Sequence, residues 1–241
     1  MFALAVIPSI ILFAVIWKHD TVEKEPPGLL VKLFLLGGLT IISATILELA
    51  GEAVLGVFIS DTTSLRYVFL ENFVTVALVE EGGKYFVLKK ATWKNREFNY
   101  TFDGVVYAVV VSLGFATIEN IFYLIDQGIG LAIARALLSV PGHVIDAVFM
   151  GYYYGLARYS HGIGDTLKEK IHLRNALLVP VMLHGFYDFC LSADQGIFFL
   201  LFILYEIIIT VVAIRHVKRL SKKDTLIPDM EDTIRDNGKI L

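Results

Sequence analysis

Seven long apolar runs, at residues 2–17, 29–50, 68–88, 104–125, 131–157, 175–191 and 197–214, constrain this chain more than any other feature. A helix that crosses the hydrocarbon layer needs about 20 mostly apolar residues, and each run approaches or exceeds that length. Composition agrees: 56% of the 241 residues are hydrophobic and only 19% are charged, against about 45–50% and 25% in a soluble domain. The runs therefore predict an all-α, polytopic transmembrane helix bundle of about seven spans, with no sizeable soluble domain. Prolines and clustered charges at 18–27 break the first run from the second. No basic residue precedes the first run and no small-residue cleavage site follows it, so it is expected to be a retained helix. The single cysteine, Cys190, excludes a disulfide framework within the chain and a thiolate metal cluster. A net charge of −3 without a long basic run gives no nucleic-acid partner; the partner implied is the lipid bilayer.

Lys and Arg concentrate in cytoplasmic loops, and here they fall in alternate connections. Lys18 and Lys24 lie in the first, Lys89, Lys90, Lys94 and Arg96 in the third, and Arg158, Lys168, Lys170 and Arg174 in the fifth. Arg215, Lys218, Arg219, Lys222 and Lys223 follow the last run. The expectation is a multi-pass cell-membrane protein with its N-terminus outside and its C-terminus cytoplasmic. No internal repeat of the transporter kind is evident.

Ionisable groups inside a span cost at least about 2.5–3.5 kcal/mol at the helix centre, so each is a functional candidate. Four runs bring them to similar depth: Glu80, Glu81 and Lys84 in the third, Glu119 and Asn120 in the fourth, His143 and Asp146 in the fifth, His184 and Asp188 in the sixth. Residues three or four apart share a helix face, which pairs His184 with Asp188, His143 with Asp146, and Lys84 with either glutamate. Glu80 with Lys84 reads as a structural ion pair that leaves Glu81 to act on substrate. Asn120 and Asp146 read as supporting groups. Glu48 and Glu52 read as structural residues reaching interfacial water, Gly82 and Gly83 as a point of close helix approach, and Tyr152 to Tyr154 as an interfacial belt.

Read together, VEEGGK (79–84), GFATIEN (114–120), PGHVIDAVFMGYYYG (141–155) and HGFYD (184–188) resemble the PrsW family of bacterial intramembrane proteases. That family is related to the CAAX prenyl endopeptidases and the bacteriocin-processing group. Its EExxK/R motif is matched by Glu80, Glu81 and Lys84, its FxxxE/H motif by Phe115 and Glu119, and its HxxxD/N motif by His184 and Asp188. His143 matches a further histidine ahead of a GYYxG stretch. The prenyl-endopeptidase branch carries His and Asn where this chain has Glu119 and Asp188. The resemblance covers a motif core at 68–191; the apolar runs give the transmembrane bundle as 1–220, and the charged stretch at 221–241 reads as a loosely ordered cytoplasmic tail. The resemblance implies cleavage of a single-span membrane protein, for PrsW proper the first cut in an anti-sigma factor that leads to a stress response.

Peptide hydrolysis requires an activated water, a stabilised oxyanion and a proton for the leaving amine. No Ser or Cys stands near a base, so water is the expected nucleophile and Glu81 its expected base. Two mechanisms remain open. In one, Glu119, His143 and His184 hold a divalent metal, zinc being favoured by this donor set, with Asp188 orienting His184 or serving as an extra ligand. In the other, metal-free and glutamic, Glu81 and Glu119 polarise water while His184 and a protonated Asp188 stabilise the oxyanion. A proton-coupled transporter and a catalytically inactive membrane scaffold are the competing readings.

Overall fold

The computed structural model describes residues 2–228, so positions 229–241 of the expected tail lie outside the described residues. The helices are α1 (Phe2–His19), α2 (Pro27–Phe58), α3 (Leu65–Leu70), α4 (Leu78–Thr92), α5 (Asp103–Gln127), α6 (Ile129–Leu137), α7 (Ser139–Gly162), α8 (Thr166–Ser192) and α9 (Gly196–Lys222). A π-helical stretch, Glu71–Ala77, joins α3 to α4 without a break. With α6 and α7 counted as one bent rod, the described residues form seven rods, as the apolar runs predict. Four are long and apolar enough to cross a membrane: Pro27–Phe58, Asp103–Gln127, Ile129–Gly162 and Gly196–Lys222. The apolar part of α1 is shorter, Ala5–His19, and the α3–α4 rod and α8 are diluted by the ionisable residues they carry. Seven full crossings is thus the upper count.

Boundaries differ from the runs for identifiable reasons. The fifth run is not one helix: Pro141 has no N–H to give the carbonyl of Leu137, and the chain bends at Leu138 before α7 resumes. The sixth begins at Thr166 rather than 175, because the Asp165 side chain caps the N–H of Lys168 at 3.0 Å. Lys168, Lys170 and Arg174 accordingly ride on helix, not in a loop.

α5 is the central rod: 78% of its apolar window is buried, against 11% for the peripheral α9. Its neighbours α2 and α7 come close because glycine permits it. A Cβ on Gly114 would strike the backbone of Phe34, and one on Gly151 the backbone of Gly104 and Val105. The expected approach at Gly82 and Gly83 is not found, since a Cβ on Gly82 would meet open space and one on Gly83 only the Thr40 side chain, 3.6 Å away. The tyrosine belt needs the same correction. Tyr154 faces inward, wholly buried, stacked on Phe98 with ring centroids 5.0 Å apart and hydrogen-bonded to Thr92 at 2.9 Å.

The start of the tail is not loose. After α9 the chain folds back on the α4–α5 loop, where Thr101 N–H donates to the Thr225 carbonyl at 3.0 Å and Ile227 N–H to the Asn99 carbonyl at 2.7 Å. Asp224 accepts from the Phe102 N–H at 2.8 Å. Beneath this strap, Glu25 from the α1–α2 loop is buried against the Tyr107 hydroxyl, and burial pushes its carboxyl up to about 7. Asp20 nearby is likewise pushed up to about 6 by burial.

Candidate active site

The ionisable residues of α4, α5, α7 and α8 converge. Lys84, itself fully buried, donates to Glu81 Oε1 at 2.7 Å, to Glu80 Oε2 at 3.0 Å and to His143 Nδ1 at 3.3 Å. Its ammonium also lies 4.1 Å from the centre of the Phe115 ring, so the FxxxE phenylalanine serves as a cation platform. An ammonium can only donate. His143 Nδ1 therefore accepts, which places the imidazole proton on Nε2, and that nitrogen faces Glu119 Oε2 at 3.0 Å.

His184 sits between carboxylates, Nδ1 3.0 Å from Glu81 Oε1 and Nε2 3.0 Å from Asp188 Oδ2, with Glu80 4.0 Å from Nδ1. Two acceptors for two ring nitrogens are satisfied when both carry protons. The rings of His143 and His184 meet edge to face, 5.2 Å between centroids. The π-helical stretch ends three residues before Glu80; such stretches recur at functional sites because they rotate the following face relative to an unbroken α-helix.

A cavity of about 290 Å³ opens beside this network, lined among others by Glu80, Glu119, His143, Asp146, His184 and Asp188. Glu48 of α2, Asn72, Ser192 and the exposed Glu52 also line it, toward the end of the bundle opposite the basic loops. Glu48 and Glu52 are thus wall residues of the cavity rather than structural residues apart from it. Glu81 does not line the cavity. The division expected for the two glutamates, Glu80 bound to Lys84 and Glu81 left over, does not describe the geometry. Lys84 takes both and lies closer to Glu81, because positions i+3 and i+4 both fall under its flexible side chain. Asn120 is wholly buried away from the cavity, with both amide atoms unpartnered.

Arg135 was not singled out from sequence. It comes from α6, placing Nη2 2.5 Å from Glu119 Oε2 and its guanidinium 3.8 Å from the Tyr123 ring centre. Its only sequence signal was a cation inside an apolar run.

Glu80, Glu81, His143 and His184 each offer a ligand atom, all within 4.8 Å of one another. Imidazoles with carboxylates are the donor types of a hydrolytic divalent ion, so the residues fit a metal. Glu119, expected as a ligand with His143 and His184, stands outside this group of four and reaches it through His143. Balancing charge in the arrangement described here falls to Lys84 and Arg135 together with any proton on His184.

The family described as PrsW family intramembrane metalloprotease matches residues 25–214. The chain is 34% identical over 215 residues to Protease PrsW of Oceanobacillus iheyensis, covering 89% of this chain and 93% of the relative. It is 36% identical to Protease PrsW of Bacillus subtilis over 198 residues, 80% and 84% of the two chains. Protease PrsW of Clostridioides difficile is also 36% identical, over 213 residues, 87% and 86% of the two. No solved structure matches. With the motif residues gathered around one buried cavity and a family match over most of its length, the chain belongs to the PrsW family of intramembrane metalloproteases.

Proposed function

We propose that the chain hydrolyses a peptide bond just outside the membrane core in a single-span substrate, an anti-sigma factor-like protein whose cleavage starts a stress response. The observation that carries this reading is where the cavity reaches an exposed wall residue, at Glu52 of α2. It lies at the end away from the basic loops, which is the outer side if the N-terminus is outside and the C-terminus cytoplasmic. A substrate's outer juxtamembrane segment then has direct access, whereas bonds deep in its span would first have to leave a helix.

Glu80 is the group we assign to water, since it lines the cavity and Glu81 does not. A carboxylate there takes a proton from water and passes it to the leaving amine. Glu81 holds Lys84 and His184 in place. His184, on the cavity wall and held at Nδ1 by Glu81, donates to the developing oxyanion from Nε2 as that nitrogen is released from Asp188, which lines the same cavity. Glu119 fixes the His143 tautomer. His143, His184 and Glu81, with Glu80 beside them, are the residues that would hold a divalent ion, zinc by donor type; bound there, it would polarise the scissile carbonyl and acidify water.

Purified full-length protein incubated with tagged single-span substrates tests the activity. Cleavage confined to the outer juxtamembrane segment, lost in Glu80→Gln, is the expected result. Proton-coupled solute uptake into vesicles without any cleavage would instead favour the transporter reading.

A further inference from the structure

At the basic end of the bundle a second cavity, of about 340 Å³, lies between the last turns of α7 and α9. α7 contributes Tyr152, Leu156 and Tyr159, α9 contributes His216 and Arg219, and Lys223 follows directly as the residue that caps α9. No acidic side chain is among its wall residues, and neither Arg219 nor Lys223, both exposed, pairs with a described acid. The His216 ring is fixed by stacking on Phe149 at 5.5 Å and by the edge of Tyr152 at 4.5 Å. Its Nε2 is nevertheless cut off from solvent without a hydrogen-bond partner. A polar atom so placed costs free energy unless something binds it.

The pattern along α9 says what that something is. Ile208, Val212, His216, Arg219 and Lys223 follow one another at intervals of four, four, three and four, so they share one helix face. Ile208 is 53% and Val212 40% exposed, on a helix whose outer side faces lipid. One face therefore runs from bare aliphatic surface at membrane depth, through an imidazole, to two cations at the membrane surface. A free anion would use only the upper part of this face. An anionic phospholipid uses all of it, and basic pockets between helices are a known way of holding such headgroups. We propose that this cavity binds the phosphate of an anionic phospholipid from the adjoining leaflet. His216, Arg219 and Lys223 donate to the phosphate, the two tyrosines flank the glycerol region, and an acyl chain lies along Val212 and Ile208.

The test uses the full chain in a neutral detergent, titrated with phosphatidylglycerol, phosphatidylcholine or inorganic phosphate, with bound lipid counted by native mass spectrometry. Selective retention of phosphatidylglycerol is expected. Each surface cation is worth roughly a factor of five, so Arg219→Gln with Lys223→Gln should weaken retention about 30-fold. Lys218→Gln with Lys222→Gln removes equal charge from another face of the same helix and should leave retention unchanged. Equal losses in the two double variants, or equal retention of phosphatidylcholine, would overturn the proposal. Displacement of the lipid by inorganic phosphate at matching concentration would also overturn it, in favour of a free-anion site. All four positions are exposed, and melting curves of both variants confirm that folding is intact.

Discussion

Arg135 and His143 meet at one atom: Glu119 Oε2 lies 2.5 Å from the arginine Nη2 and 3.0 Å from the histidine Nε2. A single oxygen thus links α6, a helix of only nine residues, to the imidazole that Lys84 holds from the other side. Arg135→Gln removes the guanidinium and leaves Glu119 on His143 alone. Loss of a partner that orients an active-site group typically costs 10- to 100-fold in activity, and about tenfold is expected here with little change in melting, because the pair is partly open to solvent. Arg135→Lys should recover part of it, keeping the charge while losing the stack on Tyr123. A wild-type cleavage rate for Arg135→Gln would reduce Arg135 to a tether for α6.

The site was legible in sequence because the membrane makes buried charge expensive: each of Glu80, Glu81, Lys84, Glu119, His143, His184 and Asp188 stood out against an apolar run, and helical spacing paired them. Spacing could not say which glutamate faces water, since i+3 and i+4 both reach Lys84. Arg135 escaped notice because one cation near a span end also suits snorkelling to the surface. The contacts of Glu25 with Tyr107, and of Asp224 in the strap with Phe102, were out of reach for another reason. Their partners are brought together by tertiary folding from segments far apart in the chain, and nothing local marks them.

These contacts should make the basic end sensitive to pH. Burial raises Glu25 from 4.5 to about 7 and Asp20 from 3.8 to about 6, so the folded state holds protons that the unfolded chain releases. The stabilisation is complete below the unfolded values and is lost as pH rises through about 6 and then 7. Protection of the strap amides at 223–228, taken relative to their intrinsic exchange rates, should therefore be greater at pH 5.5 than at pH 8, and Glu25→Gln should flatten the dependence. Protection that falls toward acid pH would contradict this assignment.

Gly151 gives a test of the α5–α7 contact. A methyl group there meets the backbone of Gly104 and Val105, which cannot move aside as a side chain can. Gly151→Ala should cost at least about 1–3 kcal/mol, while Gly82→Ala, facing open space, should be neutral or slightly stabilising by helix propensity. Detergent melting of both variants decides it, and equal Tm values would mean that the helices separate more easily than their packing implies.

Metal dependence separates the two hydrolytic mechanisms. Two imidazoles beside carboxylates in a buried cluster favour a bound ion, so exhaustive chelation should abolish cleavage and added zinc should restore it. Elemental analysis should find metal in wild type and less in His184→Ala. Full activity from metal-free protein would assign the site to the glutamic mechanism, with the oxyanion held by His184.

The two neighbouring glutamates provide the sharpest separation of chemistry from structure. Glu80 lines the cavity, and its amide analogue keeps the shape but cannot take a proton from water, so Glu80→Gln should lose the contribution of a general base, about 10²- to 10⁴-fold in rate. Its melting should stay close to wild type, because Lys84 retains Glu81 at 2.7 Å. Glu81→Gln acts differently. Glu81 Oε1 receives both the Lys84 ammonium at 2.7 Å and His184 Nδ1 at 3.0 Å, and these donors are buried. Breaking a buried pair on one side costs about 3–5 kcal/mol, so this variant should melt markedly lower and lose activity through a displaced His184. Cleavage rates and melting curves measured together distinguish the cases. A stable but dead Glu81→Gln beside an active, destabilised Glu80→Gln would return the general base to Glu81, as the spacing to Lys84 first suggests.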